Sequence, residues 1–70
     1  MNRTTVVSTR IEDMGYDPES QTAEIAFVSG GIYRYFNVPE DIYYAVLNAA
    51  SVGRAFDQLI KGSYDYERIS

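Results

Sequence analysis

Residues 22–36 read TAEIAFVSGGIYRYF, and this stretch predicts a β-hairpin around which the rest of the chain is arranged. Its first half alternates, so that Ala23, Ile25 and Phe27 share one face of a half-buried strand. Its centre, Ser-Gly-Gly, is typical of a turn because glycine adopts a positive φ without a Cβ clash. The aromatic run that follows predicts the second strand.

The length of the turn decides which side chains face the core. A two-residue loop pairs Phe27 with Ile32, whereas a three-residue loop pairs Phe27 with Tyr33, and a register shift of one residue exchanges the faces. We favour the three-residue loop with glycine at the left-handed position, because it gathers the large apolar side chains on one surface and leaves Arg34 opposite. The gathered residues are Ile25, Phe27, Tyr33 and Tyr35.

Upstream of the hairpin, residues 8–17 alternate and predict a further strand, with Ile11 and Met14 on opposite faces. The Asp-Pro step that follows is typical of a type I turn, which separates this strand from the hairpin. Residues 1–7 show no clear period, and we expect such a terminus to be mobile unless it pairs with a sheet edge.

Two short helices are predicted after the hairpin. Pro39 occupies a first helical position, followed by Glu40 and Asp41, whose charges favour the positive end of a helix dipole. The apolar residues of this first helix, about three turns long, are Ile42, Tyr43, Val46, Leu47 and Ala50. Ser51 caps the second helix. The apolar stripe of the second helix is Val52, Ala55, Phe56, Leu59 and Ile60.

Residues 63–69 alternate again and predict a short strand or an extended segment that packs on the sheet or the helices. Together these elements predict an α+β fold, in which an antiparallel meander of three or four strands is followed by two short helices packed on one face. No linker, repeat or low-complexity tract divides the chain, so we expect one domain over residues 1–70.

The composition favours a folded, noncatalytic protein. With 46% hydrophobic and 23% charged residues, the 70-residue chain has enough apolar side chains for a core. It contains no Cys and no His, which removes disulfides, thiolate metal sites and the commonest general base. Two pairs of carboxylates are adjacent in sequence, Glu12–Asp13 and Glu40–Asp41. Neither these pairs nor Lys61 form a catalytic or metal-ligating arrangement, so we expect no enzymatic activity, cofactor or metal.

Charge and hydropathy patterning limit the expected location and partners. The sequence shows neither a signal-peptide pattern nor an apolar run long enough to span a bilayer, so we expect a cytoplasmic protein without membrane attachment. The formal net charge of -4 opposes nonspecific attraction to nucleic-acid phosphates, which comes mostly from Lys and Arg.

Seven tyrosines are the most unusual feature of the composition. Tyr33 and Tyr35 place two phenols about 7 Å apart on one side of a strand, a spacing suited to stacking on nucleotide bases. The commoner role of such rings is core area, which a chain with three Phe and no Trp needs. Basic residues that could contact phosphates beside them are Arg34, Arg54 and Lys61.

A series of motifs resembles the KTSC domain, a family named for the lysyl-tRNA synthetase C-terminal domain in which it also occurs. The resemblance spans residues 8–69, and its motifs are Gly15-Tyr16-Asp17, Ile25-x-Phe27, Gly30-Gly31, Tyr33-x-Tyr35, Val38-Pro39 and Ala50-Ser51-x-Gly53-x-x-Phe56. Tyr33 and Tyr35 match the family's hallmark pair. Asp57 stands where the family is associated with Asn. The resemblance implies no catalytic residues and suggests RNA binding.

Two functional hypotheses follow. In the first, which rests on the resemblance, Tyr33 and Tyr35 stack on RNA bases while Arg34, Arg54 or Lys61 contacts phosphates. In the second, the chain is a protein-interaction module or a homodimer that uses a sheet edge or a tyrosine-rich surface, since tyrosine is enriched at interface hot spots.

Overall fold

The computed structural model describes residues 1–70 and contains a five-stranded sheet and two helices. The strands are β1 (Arg3–Thr5), β2 (Ile11–Asp17), β3 (Thr22–Phe27), β4 (Ile32–Tyr35) and β5 (Tyr66–Arg68), and the helices are α1 (Glu40–Leu47) and α2 (Val52–Leu59). All neighbouring strands are antiparallel, and they lie in the sheet in the order of the sequence. The expected α+β fold, an antiparallel meander with two helices, is confirmed, but the sheet has five strands rather than the expected three or four. β1 and β5 form the two edges of the sheet.

The β3–β4 turn is a three-residue loop, as expected, but it begins one residue earlier, at Val28. The Phe27 amide donates to the Gly31 carbonyl at 2.8 Å, and Gly30 adopts a φ of 109°, which only glycine tolerates easily. Ile25 therefore lies opposite Tyr33, and the predicted pairing of Phe27 with Tyr33 is wrong by two residues. Because the shift is even, every side chain keeps its predicted face.

A β-bulge at Glu12 corrects the prediction for the second strand. Ile11 lies opposite Phe27, but Asp13 lies opposite Ala26, so β2 has one extra residue at this point. The extra residue changes the alternation, and both Ile11 and Met14 are fully buried on the same face. Simple alternation had placed them on opposite faces.

The N-terminal segment pairs with the edge of the sheet, which is the condition under which we did not expect it to be mobile. β1 pairs with β2 from Arg3 to Thr5. On the sheet face away from the helices, Arg3 Nε lies 3.0 Å from Glu24 Oε2, and Arg34 Nε lies 2.9 Å from Glu24 Oε1. The Glu24 side chain is only 6% exposed, so both guanidinium groups serve to pair a buried carboxylate. These contacts connect β1, β3 and β4.

Both helices are two turns long. Pro39 is the N-cap of α1 rather than its first helical residue, and α1 ends at Leu47, one turn earlier than predicted. The hydroxyl of Ser51 caps α2, as expected, by accepting a hydrogen bond from the Arg54 amide at 3.4 Å. Leu59 is 37% exposed and does not belong to the core stripe of α2. No helix in the chain has the length and apolar character needed to cross a bilayer.

The core lies between the helices and one face of the sheet. Its buried members are Ile11, Met14, Ala23, Ile25, Tyr35, Val38, Tyr43, Val46, Val52, Phe56 and Ile60. At one end of the core, the rings of Tyr16 and Tyr43 stack with their centres 4.7 Å apart, and the Tyr16 hydroxyl donates to the Val38 carbonyl. Burial, with a smaller effect of Tyr44, raises the pKa of Tyr43 to about 12.

We expect the free energy of unfolding to fall as the pH rises from 10 to about 12, because Tyr43 keeps its proton longer in the folded chain. Folding raises the pKa, so the stabilisation is complete below the unfolded value and is lost above it. The contribution of Tyr43 is on the order of 1–3 kcal/mol. Urea unfolding at a series of pH values measures it, and Tyr43→Phe should make the fall shallower. An equally steep fall in that variant would contradict the assignment.

Candidate functional site

An open groove of about 340 Å³ lies between the C-terminal end of α2 and strands β3, β4 and β5. We call it the aromatic groove, and it is lined by Arg10, Phe27, Ser29, Tyr33, Tyr35, Phe56, Lys61, Gly62 and Tyr66. Ile25 pairs with Tyr33, and this register places Phe27, two residues further along β3, close to Tyr33. Tyr66 of β5 reaches the groove because it pairs with Tyr35. The groove therefore depends on both strand registers.

Five aromatic rings of the groove form a closed circuit of neighbours. The distances between ring centres are 5.5 Å for Phe27–Tyr33, 5.8 Å for Tyr33–Tyr66, 5.3 Å for Tyr66–Tyr35, 5.4 Å for Tyr35–Phe56 and 5.6 Å for Phe56–Phe27. All five lie within the range in which aromatic rings attract one another. Each ring is thus fixed by two others, and the groove is preformed.

The three tyrosines of the circuit differ in burial. Tyr35 is 5% exposed and belongs to the core, Tyr33 is half-buried, and Tyr66 is 59% exposed. Burial, followed by the neighbouring Tyr66 and Tyr33 phenols and the Asp57 carboxylate, raises the pKa of the Tyr35 hydroxyl above its ordinary value. No buried side-chain oxygen lacks a partner, so the Tyr35 hydroxyl, which makes no protein hydrogen bond, reaches the solvent.

The charged residues that line the aromatic groove are both cations, Arg10 and Lys61. A third cation is close by, since the guanidinium carbon of Arg68 lies 5.8 Å from the centre of the Tyr33 ring. No carboxylate lines the groove, although the chain carries ten Asp and Glu residues against six Lys and Arg. The charged lining of the groove is therefore cationic on an acidic protein, and the Asp57 carboxylate, just outside the lining, offsets the charge of Arg10 at 2.9 Å.

Arg10 is held in place by α2. Its Nη2 donates to the Gly53 carbonyl at 2.6 Å and to Asp57 Oδ2 at 2.9 Å. The hydroxyl of Ser8 accepts hydrogen bonds from the amides of Arg10 and Ile11, both at 3.2 Å, and shapes the backbone that leads into β2. The Arg10 side chain remains 46% exposed, so part of its guanidinium faces solvent.

The Ser51-x-Gly53-x-x-Phe56 motif acquires a physical explanation from these contacts. Ser51 caps α2, and Phe56 supplies one ring of the circuit. A Cβ at Gly53 would lie 3.0 Å from Arg10 Nη2 and 3.3 Å from Arg10 Nε. Glycine at this position lets the guanidinium lie directly against the helix backbone.

The structure brings some of the predicted site residues together and separates others. Tyr33, Tyr35 and Lys61 all line the aromatic groove. Arg34 lies on the opposite face of the sheet, where it pairs with Glu24. Arg54 lies at the start of α2 and lines a separate polar groove, which Arg10 also borders.

Sequence reasoning did not identify Arg10, Phe27, Phe56 and Tyr66 as site residues. The alternation of the C-terminal segment placed Tyr66 on a strand but carried no information about its neighbour in the sheet. Arg10 precedes the first strand of the hairpin region, and only the folded chain brings it to Asp57. No local pattern signals a contact over 47 residues.

The other main openings of the surface do not combine this circuit of aromatic rings with lining cations. The largest, about 760 Å³, is a wide opening lined by residues that include Phe36, Asn37 and Asp65. No group of three or more His, Cys, Asp or Glu side chains is arranged to hold a metal ion. The aromatic groove is therefore the best-defined candidate site.

Comparisons with known proteins identify relatives of the whole chain. The family model of the KTSC domain matches residues 7–64. An uncharacterized protein of Stutzerimonas stutzeri is 44% identical over 70 residues, which is 99% of each chain. The crystal structure of a KTSC domain protein from Yersinia pestis superimposes with a TM-score of 0.95 at 40% identity, covering 99% of this chain and 97% of that one.

A lysine–tRNA ligase of Nostoc punctiforme contains a similar segment, 38% identical over 60 residues. The match covers 86% of this chain but only 11% of the ligase. The similarity relates this chain to a small part of a much larger enzyme. The family model and the Yersinia pestis structure indicate no catalytic family.

We expect the effect of Gly53→Ala on the free energy of unfolding to change sign with the residue at position 10. In the wild-type background the added methyl group meets the Arg10 guanidinium and lowers the free energy of unfolding. In an Arg10→Ala background the Ser8 hydroxyl, 3.3 Å from the new Cβ, still has to give way slightly, but the substitution stabilises by up to about 1 kcal/mol, because alanine favours a helix over glycine. Urea unfolding of the four proteins measures the coupling. Equal effects in both backgrounds would show that Gly53 does not accommodate Arg10.

Proposed function

The chain belongs to the KTSC domain family, and from this membership together with the aromatic groove we propose that it is a noncatalytic module that binds single-stranded RNA. The proposed contact is an unstacked base on the rings of the groove, with its phosphate near Lys61 and Arg10. Single-stranded RNA suits such a site because its bases can leave the stack and lie on aromatic side chains.

The observation that carries the proposal is the separation of charge. A chain with a net charge of -4 repels phosphates at long range, yet its aromatic groove is lined by two cations and no carboxylate. Phosphate affinity depends on local Lys and Arg, whose contacts release counterions. A groove of about 340 Å³ is at the small end of ligand pockets, so it fits one base rather than a long stretch of strand.

In this proposal the tyrosines have different roles. Tyr33 is half-buried and Tyr66 is exposed, so their ring faces are available for stacking, whereas Tyr35 is mainly a core residue. Arg34 faces the other side of the sheet and takes no part. Arg54 lies outside the groove and contacts only RNA that extends past Arg10.

The relatives support the same partner class. A segment similar to this chain occurs in lysine–tRNA ligases, enzymes whose name states that they act on a tRNA. We extend that association to this chain as a partner class only, without a sequence preference.

A protein partner is the second candidate, and the exposed Tyr66 is the observation that favours it. Tyrosine-lined grooves also accept extended proline-rich peptides, whose rigid conformation costs little entropy on binding. A peptide of this kind would occupy the same groove, so both candidates can be measured on the same set of variants.

We expect Tyr33→Ala to weaken binding of a labelled single-stranded RNA about 5- to 150-fold, because base–aromatic stacking contributes about 1–3 kcal/mol. Tyr33→Phe keeps the ring and should bind like the wild type. Lys61→Gln should lower the slope of log affinity against log salt by about 0.7. Fluorescence anisotropy at several salt concentrations provides all three values.

Arg34→Gln is the matched control, since it removes a cation from the opposite face of the sheet. It should leave RNA affinity unchanged in a sample whose folding is verified by circular dichroism. Binding that is equally sensitive to Arg34→Gln and Lys61→Gln would place the contact outside the aromatic groove. Binding of a proline-rich peptide, lost in Tyr33→Ala while RNA fails to bind, would favour the protein-interaction function.

Asp57→Asn also tests the cationic side of the groove, but this variant is expected to strengthen RNA binding rather than weaken it. The Asp57 carboxylate neutralises Arg10 at 2.9 Å, and asparagine would leave that guanidinium charge free to attract phosphate. We expect RNA affinity to rise a few-fold and the salt dependence to become steeper. Equal affinity of the variant and the wild type in low salt would show that Arg10 does not contact the RNA.

A further inference from the structure

The two edges of the sheet are protected to different degrees. β5 carries charge at two of its three positions, Glu67 and Arg68, and charged side chains are the usual protection of an edge strand against pairing with other chains. β1 is followed by Val6 and Val7, and beyond Arg3 this edge carries no charge. Val7 is 99% exposed.

The free hydrogen-bonding groups of this edge belong to alternate residues. The Val6 amide donates to the Glu12 carbonyl of the neighbouring segment, at 3.2 Å. Peptide groups in an antiparallel ladder alternate in direction, so Thr4 and Val6 point towards β2. Arg3, Thr5 and Val7 therefore direct their N–H and C=O groups outward, where they are available to another strand.

An uncharged groove lies directly beside this edge, with a volume of about 410 Å³. We call it the neutral groove, and it is lined by Thr4, Thr5, Val6, Val7, Leu47, Asn48, Ala49, Ala50 and Val52. In a chain with 23% charged residues, nine lining residues without a charge form a distinctly neutral patch. Patches from which charge is absent are typical of the centre of a protein interface.

We infer that the β1 edge and the neutral groove bind a second copy of this chain, as a symmetric dimer in which residues 3–7 of the two copies pair antiparallel about Thr5. In this register Thr5 lies opposite Thr5 of the second copy, and Arg3 lies opposite Val7. Thr4 lies opposite Val6 on the helix-bearing side, next to the neutral groove.

Charge and symmetry select a second copy over another occupant. The dyad at Thr5 brings Arg3 of each copy to a valine, so no like charges oppose each other and no unpaired charge is buried. The same uncharged residues of the edge and of the neutral groove are presented by both copies, as a self-complementary twofold interface requires. In this dimer the outward N–H and C=O groups of each edge strand form hydrogen bonds with those of the other copy.

The dimer has a consequence for the far side of the sheet. β1 and β5 are opposite edges, so pairing through β1 leaves the aromatic grooves at the two outer ends of a continuous sheet. Both grooves remain open. The inference does not depend on what these grooves bind, and dimerisation is measured without any ligand.

The test is the mass of the full chain, measured by sedimentation equilibrium from about 10 µM to about 1 mM, a range that spans weak association. We expect the mass to rise from 7.9 kDa towards twice that value. Because no charged pair crosses the interface, raising the salt concentration should not weaken it. A mass that stays at the monomer value throughout this range would overturn the inference.

Three variants at Thr5 locate the interface. Thr5→Pro removes an outward N–H without touching the β1–β2 ladder, a position that an edge strand tolerates, and it should remain monomeric. Thr5→Lys places two ammonium groups together at the dyad and should also be monomeric. Thr5→Glu should be monomeric alone, but an equimolar mixture with Thr5→Lys should dimerise again, because opposite charges then meet.

Glu67→Lys on β5 is the matched control and should dimerise like the wild type. Circular dichroism confirms that each variant is folded before its mass is interpreted, and Thr5→Pro and Thr5→Lys provide independent disruptions. A dimer that persists in both variants, or one that is lost in Glu67→Lys, would place the interface elsewhere and overturn the inference.

Discussion

The antiparallel register of β3 and β4 is the constraint on which the rest of the structure depends. With Ile25 opposite Tyr33, the helix-bearing face receives the apolar and aromatic side chains, and the other face receives Glu24 and Arg34. A slip of one residue would bury Arg34 under the helices and expose the aromatic rings. The loop ending in Gly30 prevents that slip, because its backbone conformation is costly for other residues. The positions of the core, of the ion pairs on the outer face and of the aromatic groove therefore all follow from the register of β3 and β4.

Arg10 connects the sheet to the second helix. Its guanidinium joins the segment before β2 to two residues of α2, Gly53 and Asp57, and it also lines the aromatic groove. An arginine with one nitrogen engaged by protein is better positioned for a ligand than a free one, because less side-chain entropy is lost on binding. The carboxylate that positions the guanidinium also reduces its net charge. Position and charge are in this way set by the same residue.

Period and turn chemistry were sufficient to predict the fold class, the faces of the hairpin and the cap at Ser51, because each of these depends on neighbouring residues. They failed for Ile11 and Met14, since a bulge is an extra residue in one strand relative to its partner and a single strand does not reveal it. The candidate site was predicted in part. Tyr33, Tyr35 and Lys61 are together, whereas Arg34 was assigned to the site despite its predicted position on the opposite face.

A domain of this size has few residues to divide between folding and binding. The rings of Tyr35 and Phe56 belong both to the core and to the aromatic groove, so a change at either alters stability and surface together. Tyr33 and Tyr66 contact those rings from more exposed positions, at distances that still hold them in place. The core thus orients the exposed rings in advance, and a ligand that stacks on them meets a surface whose ordering entropy was already lost during folding. Sharing rings in this way allows a 70-residue chain to present a rigid groove.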